Sequence, residues 1–224
     1  MLIAGIDECG RGPAIGPMVM CIVAAKESMI NDLIFWGVKD SKKISPKKRE
    51  QLYEILKKEV IYKYRIISAR EIDACLKDNN SNLNWLEAEI SAQLTNELLK
   101  KHNIKRIFLD CPSNNISAYE NFFKKLIKKN IEIICEHKSD ENYPIVGAAS
   151  IIAKVIRDSE IEKIKIKYNV NFGSGYTSDK NTIIFLKNYY LKNREFPDFV
   201  RKSWKTISNI KREIKQRKID TFIE

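Results

Sequence analysis

The chain has 224 residues, with 40 lysines and arginines against 29 aspartates and glutamates, a formal net charge of +11 and a pI near 9.3. That balance favours a polyanionic partner, nucleic acid ahead of an anionic membrane, because no apolar run approaches the ~20 residues that a bilayer-spanning helix needs. Five cysteines without a C-x-x-C spacing exclude a disulfide framework and a zinc site and suit a reducing compartment. No signal-peptide-like segment precedes the first predicted strand, so the expected location is cytoplasmic.

The predicted elements begin almost at Met1. Leu2 to Asp7 and Met18 to Ala25 are short apolar runs separated by a Gly/Pro-rich turn, and both read as strands. Ser45-Pro46 has the form of a helix N-cap followed by a first-turn proline, and Leu52, Ile55 and Leu56 then share one helical face. Tyr62 to Ile66 alternates as a half-buried strand does. From Leu83, the positions Leu86, Ile90, Leu94 and Leu98 continue a helical stripe.

Ile104 to Leu109 reads as a buried strand, Tyr119, Phe122, Phe123, Leu126 and Ile127 as an amphipathic helix, and Ile131 to Cys135 as a further strand. A strand, a crossover helix and a second strand predict a right-handed parallel pair. Asp110 then stands at the carboxyl end of the first strand and Asp140 just beyond the second, on the sheet edge where α/β proteins commonly bind ligands. The small residues of Gly147 to Val155 suit a helix lying tight on the sheet. A Gly/Ser/Asn-rich loop carrying Tyr176 runs from Tyr168 to Asp179, and two basic helices follow, around Ile184 to Leu191 and Trp204 to Ile214.

Four carboxylates converge in this reading: Asp7 and Glu8 at the end of the first strand, Asp110, and Asp140, with Glu141 as the alternative to Asp140. Hard divalent cations take oxygen ligands, and two such ions can activate water and stabilise the leaving oxygen of a phosphodiester. Without metal, four like charges would repel and raise one another's pKa. The turn Gly10-Arg11-Gly12 follows the acidic pair after a single residue, Cys9, so the chain's own chemistry points to metal-dependent work on nucleic acid.

Seven motifs in order resemble ribonuclease HII, most closely its archaeal branch. They are Asp7 to Pro13, Asp40-Ser41-Lys42-Lys43, Leu109-Asp110, His137-Lys138-Ser139-Asp140, Ala148 to Lys154, Gly173-Ser174-Gly175-Tyr176 and Arg201-Lys202-Ser203-Trp204. The resemblance implies an α/β, RNase H-like fold: a five-stranded mixed sheet flanked by helices, with a C-terminal helical extension. Its implied division is a catalytic core over residues 1–160 and a helical region over 161–224 that completes the substrate groove. It implies an endonuclease that cuts the RNA strand of RNA/DNA hybrids and cuts 5′ of ribonucleotides embedded in duplex DNA, leaving 3′-hydroxyl and 5′-phosphate ends.

By the same resemblance, Asp7, Glu8, Asp110 and Asp140 are the catalytic and metal-binding acids, holding Mg²⁺ or Mn²⁺, two ions during catalysis. Gly10, Arg11 and Gly12 match the turn that contacts the ribose 2′-hydroxyl and nearby phosphates, and Tyr176 matches a tyrosine that packs on the sugar at the RNA-DNA junction. Lys42, Lys43 and Ser150 complete the implied substrate-binding set. Glycines let backbone approach a sugar closely, Arg11 can fork onto a phosphate, and lysines neutralise phosphates without regard to sequence. Cys9 departs from the family, which more often has alanine there. A binding module that does not cut would leave the four acids unexplained, and a nuclease indifferent to the 2′-hydroxyl would need neither the Gly-Arg-Gly turn nor Tyr176.

The tail from Gln216 to Ile223 resembles a degenerate sliding-clamp-binding motif, with Gln216, Ile219 and Phe222 as the contacting residues and Ile223 in place of a second aromatic. One tight helical turn would put Ile219 and Phe222 on one side as an apolar plug. The competing reading folds these residues back onto the last helix. The expected assembly is a monomer acting on duplex substrates, with a sliding clamp as a further partner and no membrane.

Overall fold

The computed structural model describes residues 1–38, 44–78 and 81–220, with side chains as far as residue 216. Five strands form one mixed sheet in the order β3-β2-β1-β4-β5. They are β1 (Leu2–Cys9), β2 (Met18–Lys26), β3 (Ile61–Ile67), β4 (Ile104–Asp110) and β5 (Glu132–Glu136). β1 runs antiparallel to β2 and parallel to β4, and β4 runs parallel to β5 through the crossover helix α5 (Ile116–Leu126), as the strand-helix-strand pattern predicts.

The other helices are α1 (Ile30–Trp36), α2 (Pro46–Glu59), α3 (Ala69–Lys77), α4 (Leu83–Leu99), α6 (Ser139–Asn142), α7 (Pro144–Tyr168), α8 (Lys180–Asn193) and α9 (Lys205–Asp220). α2 starts as its sequence dictates: Ser45 Oγ accepts from the Lys48 N–H, and Pro46 occupies the first turn where a missing donor costs nothing. The α4 stripe is also as expected, with Ile90, Leu94 and Leu98 buried. α3 is an element the periodicity did not reveal, although Ser68 and Glu71 form a complete capping box at its start.

Two compact units are distinguished. The first comprises Met1–Cys9, Val19–Ile66 and Asn82–Arg157, and the second Gly10–Met18, Ile67–Ser81 and Asp158–Glu224. In the first, the β1 and β2 residues Ile3, Val19, Cys21 and Val23 pack with Leu52 and Leu56 of α2 and with Ile145 to Ile156 of α7. Gly5 of β1 is what admits α7: a Cβ there would lie 2.5 Å from the Ile145 carbonyl carbon and the Val146 nitrogen. Period-two alternation puts Asp7 on the same sheet face as Gly5, so the face that admits the helix also carries the acid.

The second unit has its own apolar centre, in which Ile15, Phe172, Leu186, Phe199, Val200 and Ile207 are buried. An isolated antiparallel bridge pairs Ile15 with Val200. Burial of this size on both sides of the unit boundary is the main favourable term for each cluster, at roughly 25 cal/mol per Å² of apolar surface removed from water. Among the described residues, no helix is long and apolar enough to cross a membrane.

Candidate metal centre and substrate-binding elements

The first unit brings Asp7, Glu8 and Asp110 together: each offers a carboxylate oxygen, and these oxygens lie within 4.8 Å of one another. The sheet produces this grouping. β1 and β4 are parallel with Ile6 opposite Leu109, so the next residues, Asp7 and Asp110, leave neighbouring strands at the same edge. Asp7 is buried at 6% exposure, and the Glu8 N–H donates to its Oδ1 at 2.7 Å. A hydrogen bond from Ser150 on α7 also reaches the Asp7 carboxylate.

Burial raises the Asp7 pKa well above the usual carboxylate value, and the charges of Glu8 and Asp110 raise it further, against the lowering effect of the Ser150 bond. Three acids held this close are poorly compatible with full ionisation unless a cation neutralises them. All the donors are hard carboxylate oxygens, which fits Mg²⁺ or Mn²⁺ and does not fit a thiophilic metal. The same field acts on Cys21, which pairs with Asp7 across β1 and β2; its thiol is pushed well up by burial and by the Asp7 charge.

Asp140 is not part of the three-residue group among the described residues. It lies in the first turn of α6 at 4% exposure, while the alternative, Glu141, is exposed and sits 3.7 Å from Lys138. The start of α6 is fastened to β4: the Ser139 N–H donates to Asp110 Oδ1 at 2.8 Å and its hydroxyl to the Leu109 carbonyl at 3.2 Å. Lys138, at φ 57, makes the left-handed step that turns the end of β5 into this helix. His137 pairs through Nδ1 with the Cys111 carbonyl at 2.8 Å, a structural contact. Cys111 is buried and Cys9 half-buried, as expected of small fillers.

The second unit holds Gly10, Arg11, Gly12 and Tyr176. Gly10, at φ 89, occupies backbone space that other residues rarely enter and so starts the turn after β1. The loop carrying Tyr176 is anchored close by in the chain's own hydrogen bonding, because the Gly175 carbonyl accepts from the N–H groups of Ala14 at 2.9 Å and Ile15 at 3.2 Å. Thr182 receives the Gly175 N–H at 3.0 Å and donates to the Phe172 carbonyl at 2.7 Å, closing the loop onto α8.

Of the remaining expected site residues, Lys42 and Lys43 lie outside the described residues. Gln216 is exposed on α9, whereas the side chain of Ile219 and all of Phe222 fall outside the described residues. Sequence reasoning assigned no role to Arg201, Trp204 or Asp73. These three organise the Gly10 to Gly12 turn and its support; the motif Arg201-Lys202-Ser203-Trp204 hinted at the first two, and nothing in the sequence hinted at Asp73.

Residues 4–207 match the family model described as Ribonuclease HII. A curated ribonuclease HII of Methanococcus maripaludis (strain C6) is 44% identical over 224 residues, covering 100% of this chain and 92% of the relative. The crystal structure of ribonuclease H2 from Pyrococcus horikoshii OT3 superposes with a TM-score of 0.87 at 39% identity, covering 96% of this chain and 99% of that one. A solved PCNA:RNase HII complex from Archaeoglobus fulgidus contains a chain with a TM-score of 0.82 and 35% identity, covering 92% of this chain and 96% of that one. The carboxylate edge therefore lies in an RNase H-like sheet, and the chain belongs to the ribonuclease HII family of hydrolases, endonucleases that act on the RNA strand of RNA/DNA hybrids.

Proposed function

We propose that this enzyme cleaves on the 5′ side of ribonucleotides, both in RNA/DNA hybrids and where a single ribonucleotide is embedded in duplex DNA. The observation that carries the reading is the trio of carboxylates Asp7, Glu8 and Asp110 at one sheet edge, with the Gly10-Arg11-Gly12 turn separated from Glu8 by one residue in the chain. Acids suited to a divalent cation and a backbone turn suited to a sugar are the two requirements for hydrolysis that depends on a 2′-hydroxyl. A Cβ at Gly12 would meet nothing within 4 Å beyond its chain neighbours, among the described residues. Glycine there is not demanded by the chain's own packing, which suits a position kept small for a ligand.

Asp7, Glu8 and Asp110 would hold the metal, joined by Asp140 from α6. Bound Mg²⁺ or Mn²⁺, two ions during catalysis, would activate the attacking water and neutralise charge at the leaving oxygen. Ser150 orients the Asp7 carboxylate by its hydrogen bond, and Ser139 orients Asp110. Hydrolysis forms a bond from the water oxygen to phosphorus and breaks the bond to the 3′-oxygen of the preceding nucleotide. That oxygen takes a proton, giving 3′-hydroxyl and 5′-phosphate ends. Arg11 would engage the phosphate, Tyr176 the junction sugar, and Lys42 and Lys43 the backbone charge.

In this reading residues 1–160 supply the catalytic core and 161–224 complete the groove, with the enzyme acting as a cytoplasmic monomer. The tail from Gln216 to Ile223 would tether it to a sliding clamp, raising its local concentration on DNA without altering the chemistry. The presence of PCNA in the Archaeoglobus fulgidus complex supports this partner. The test is to incubate labelled duplexes carrying no, one or many ribonucleotides with Mg²⁺ or Mn²⁺ and map the cuts. Cleavage 5′ of each ribonucleotide and none in all-DNA duplex is expected; equal cutting of all three overturns the reading.

A further inference from the structure

Arg201 is fully buried, and its guanidinium is spent on backbone. Nε donates to the Gly16 carbonyl at 3.0 Å, Nη1 to the Arg11 carbonyl at 2.6 Å and Nη2 to the Gly10 carbonyl at 2.5 Å. The guanidinium also lies over the Trp204 ring, 4.8 Å from its centroid, and Trp204 Nε1 donates to the Gly12 carbonyl at 3.0 Å. Two side chains from one four-residue segment thus hold all three carbonyls of the Gly10-Arg11-Gly12 turn.

The segment is itself pinned from behind. Asp73 of α3, only 8% exposed, accepts from the Lys202 N–H at 2.8 Å, the Ser203 N–H at 2.9 Å and the Ser203 hydroxyl at 2.5 Å. The Arg201 N–H donates to the Ala14 carbonyl at 2.9 Å, on the far side of the turn. A buried guanidinium is costly unless its donors are satisfied, so this geometry over-determines the turn. Lysine could not replace it, since one ammonium does not present a planar fork to separate acceptors.

Peptide geometry converts this into a statement about donors. In a trans peptide the C=O of one residue and the N–H of the next point in opposite directions. Fastening the carbonyls of Gly10 and Arg11 on the Arg201 side turns the N–H groups of Arg11 and Gly12 to the other side. The cation polarises those same peptides and makes their N–H groups better donors.

We propose that Arg201 and Trp204 are positioning residues for ribose recognition, aiming the Arg11 and Gly12 amides at the sugar 2′-hydroxyl and the adjoining phosphate. This rests on the function proposed above, in which the turn contacts substrate. Neither side chain touches the reacting atoms; both act through the turn. Asp73 serves as their anchor.

The test is steady-state cleavage of a duplex with one ribonucleotide by Arg201→Lys and Trp204→Phe, each assayed well below its own unfolding midpoint. A misaimed turn should lower kcat by about 10²-fold in Arg201→Lys and about 10-fold in Trp204→Phe, with KM within about threefold of wild type. If Arg201→Lys does not fold, Trp204→Phe decides, because it removes the Nε1 donor and leaves a smaller aromatic ring in place of the indole. A kcat within about threefold of wild type in Trp204→Phe, or a loss seen only as raised KM, overturns the proposal. The wild-type control keeps the two readings apart. If wild type cuts an all-DNA duplex equally fast, the ribose-dependent function fails; if wild type needs the ribonucleotide and the variants match it, the positioning role alone fails.

Discussion

The Ser139 N–H donates to Asp110 Oδ1 at 2.8 Å, so the first turn of α6 is fastened to the last residue of β4 by one of the acids of the cluster. The next residue along that helix is Asp140, which is buried, and the one after it is Glu141, which is exposed. In the proposed site Asp140, one residue beyond the Ser139 that bonds Asp110, joins the acids around the cation. Asp140→Asn should therefore lower kcat by at least about 10²-fold, whereas Glu141→Gln should stay within about twofold of wild type. Cleavage assays at saturating Mn²⁺ check both, and equal losses in the two variants would contradict the assignment.

Asp7 sets a conflict between folding and function. Its pKa in the folded chain is raised by burial and by Glu8 and Asp110, so the native state holds a proton that the unfolded state releases at lower pH. The metal-free protein should accordingly lose stability as pH rises from about 4 through the folded-state value of Asp7. Asp7→Asn should remove that slope and leave the metal-free fold at least as stable as wild type near neutral pH, while abolishing cleavage. Denaturant melts across pH, without divalent ions, measure this; an unchanged slope in the variant would sink it.

Metal addition should reverse the same conflict. A cation that binds the native carboxylates and not the unfolded chain stabilises by about 2.7 kcal/mol at a concentration 100 times its Kd. Thermal melts with Mn²⁺ or Mg²⁺ against chelator should show a rise in midpoint for wild type and little or none for Asp7→Asn. Similar rises in both would place the binding elsewhere.

On the proposed roles of Tyr176 and Arg11 in positioning the junction, Tyr176→Ala and Arg11→Ala should reduce kcat on a single-ribonucleotide duplex by about 10²-fold while changing affinity much less. Lys42→Ala should behave in the opposite way, leaving kcat nearly intact and lowering the slope of log affinity against log salt by about 1. Single-turnover rates and salt-dependent binding separate the two patterns. Wild-type cleavage by Tyr176→Ala would remove its junction role.

The tail makes a separate prediction. Full-length enzyme should bind the host's sliding clamp in calorimetry, and the double variant Ile219→Ala, Phe222→Ala should not. Equal heats from the two proteins would mean the tail does not dock.

Much of the sheet and its acids was legible because the signals are local. Leu2 to Ile6 and Ile107 to Leu109 are apolar runs that stop at carboxylates, and the β4-α5-β5 crossover was legible as a parallel pair, whereas the parallel pairing of β1 with β4 that brings Asp7 beside Asp110 is a long-range contact. α3 escaped because its nine residues are too few for a clear period, although Ser68 and Glu71 stand at capping-box spacing. The Arg201 clasp escaped for another reason. Its bonds to Gly16 and Gly10 span 185 and 191 residues of chain, a separation to which no window of hydrophobic period is sensitive. An arginine two and three residues before a serine and a tryptophan gives no sign in the sequence of which carbonyls it will seek.

Gly5 carries a consequence for how the enzyme can fail. The gap between β1 and α7 is gauged by an atom that is missing, since a methyl group at residue 5 would press on the backbone of Ile145 and Val146. Any larger residue must wedge the helix outward, and Ser150 rides on that helix, five residues on from Ile145. The hydrogen bond from Ser150 to Asp7 would slacken first, with every acid still present. A screen for inactive variants should therefore return substitutions at Gly5 whose product keeps its charge and its grip on hybrid, and has lost only the close fit between a strand and the helix that steadies its aspartate.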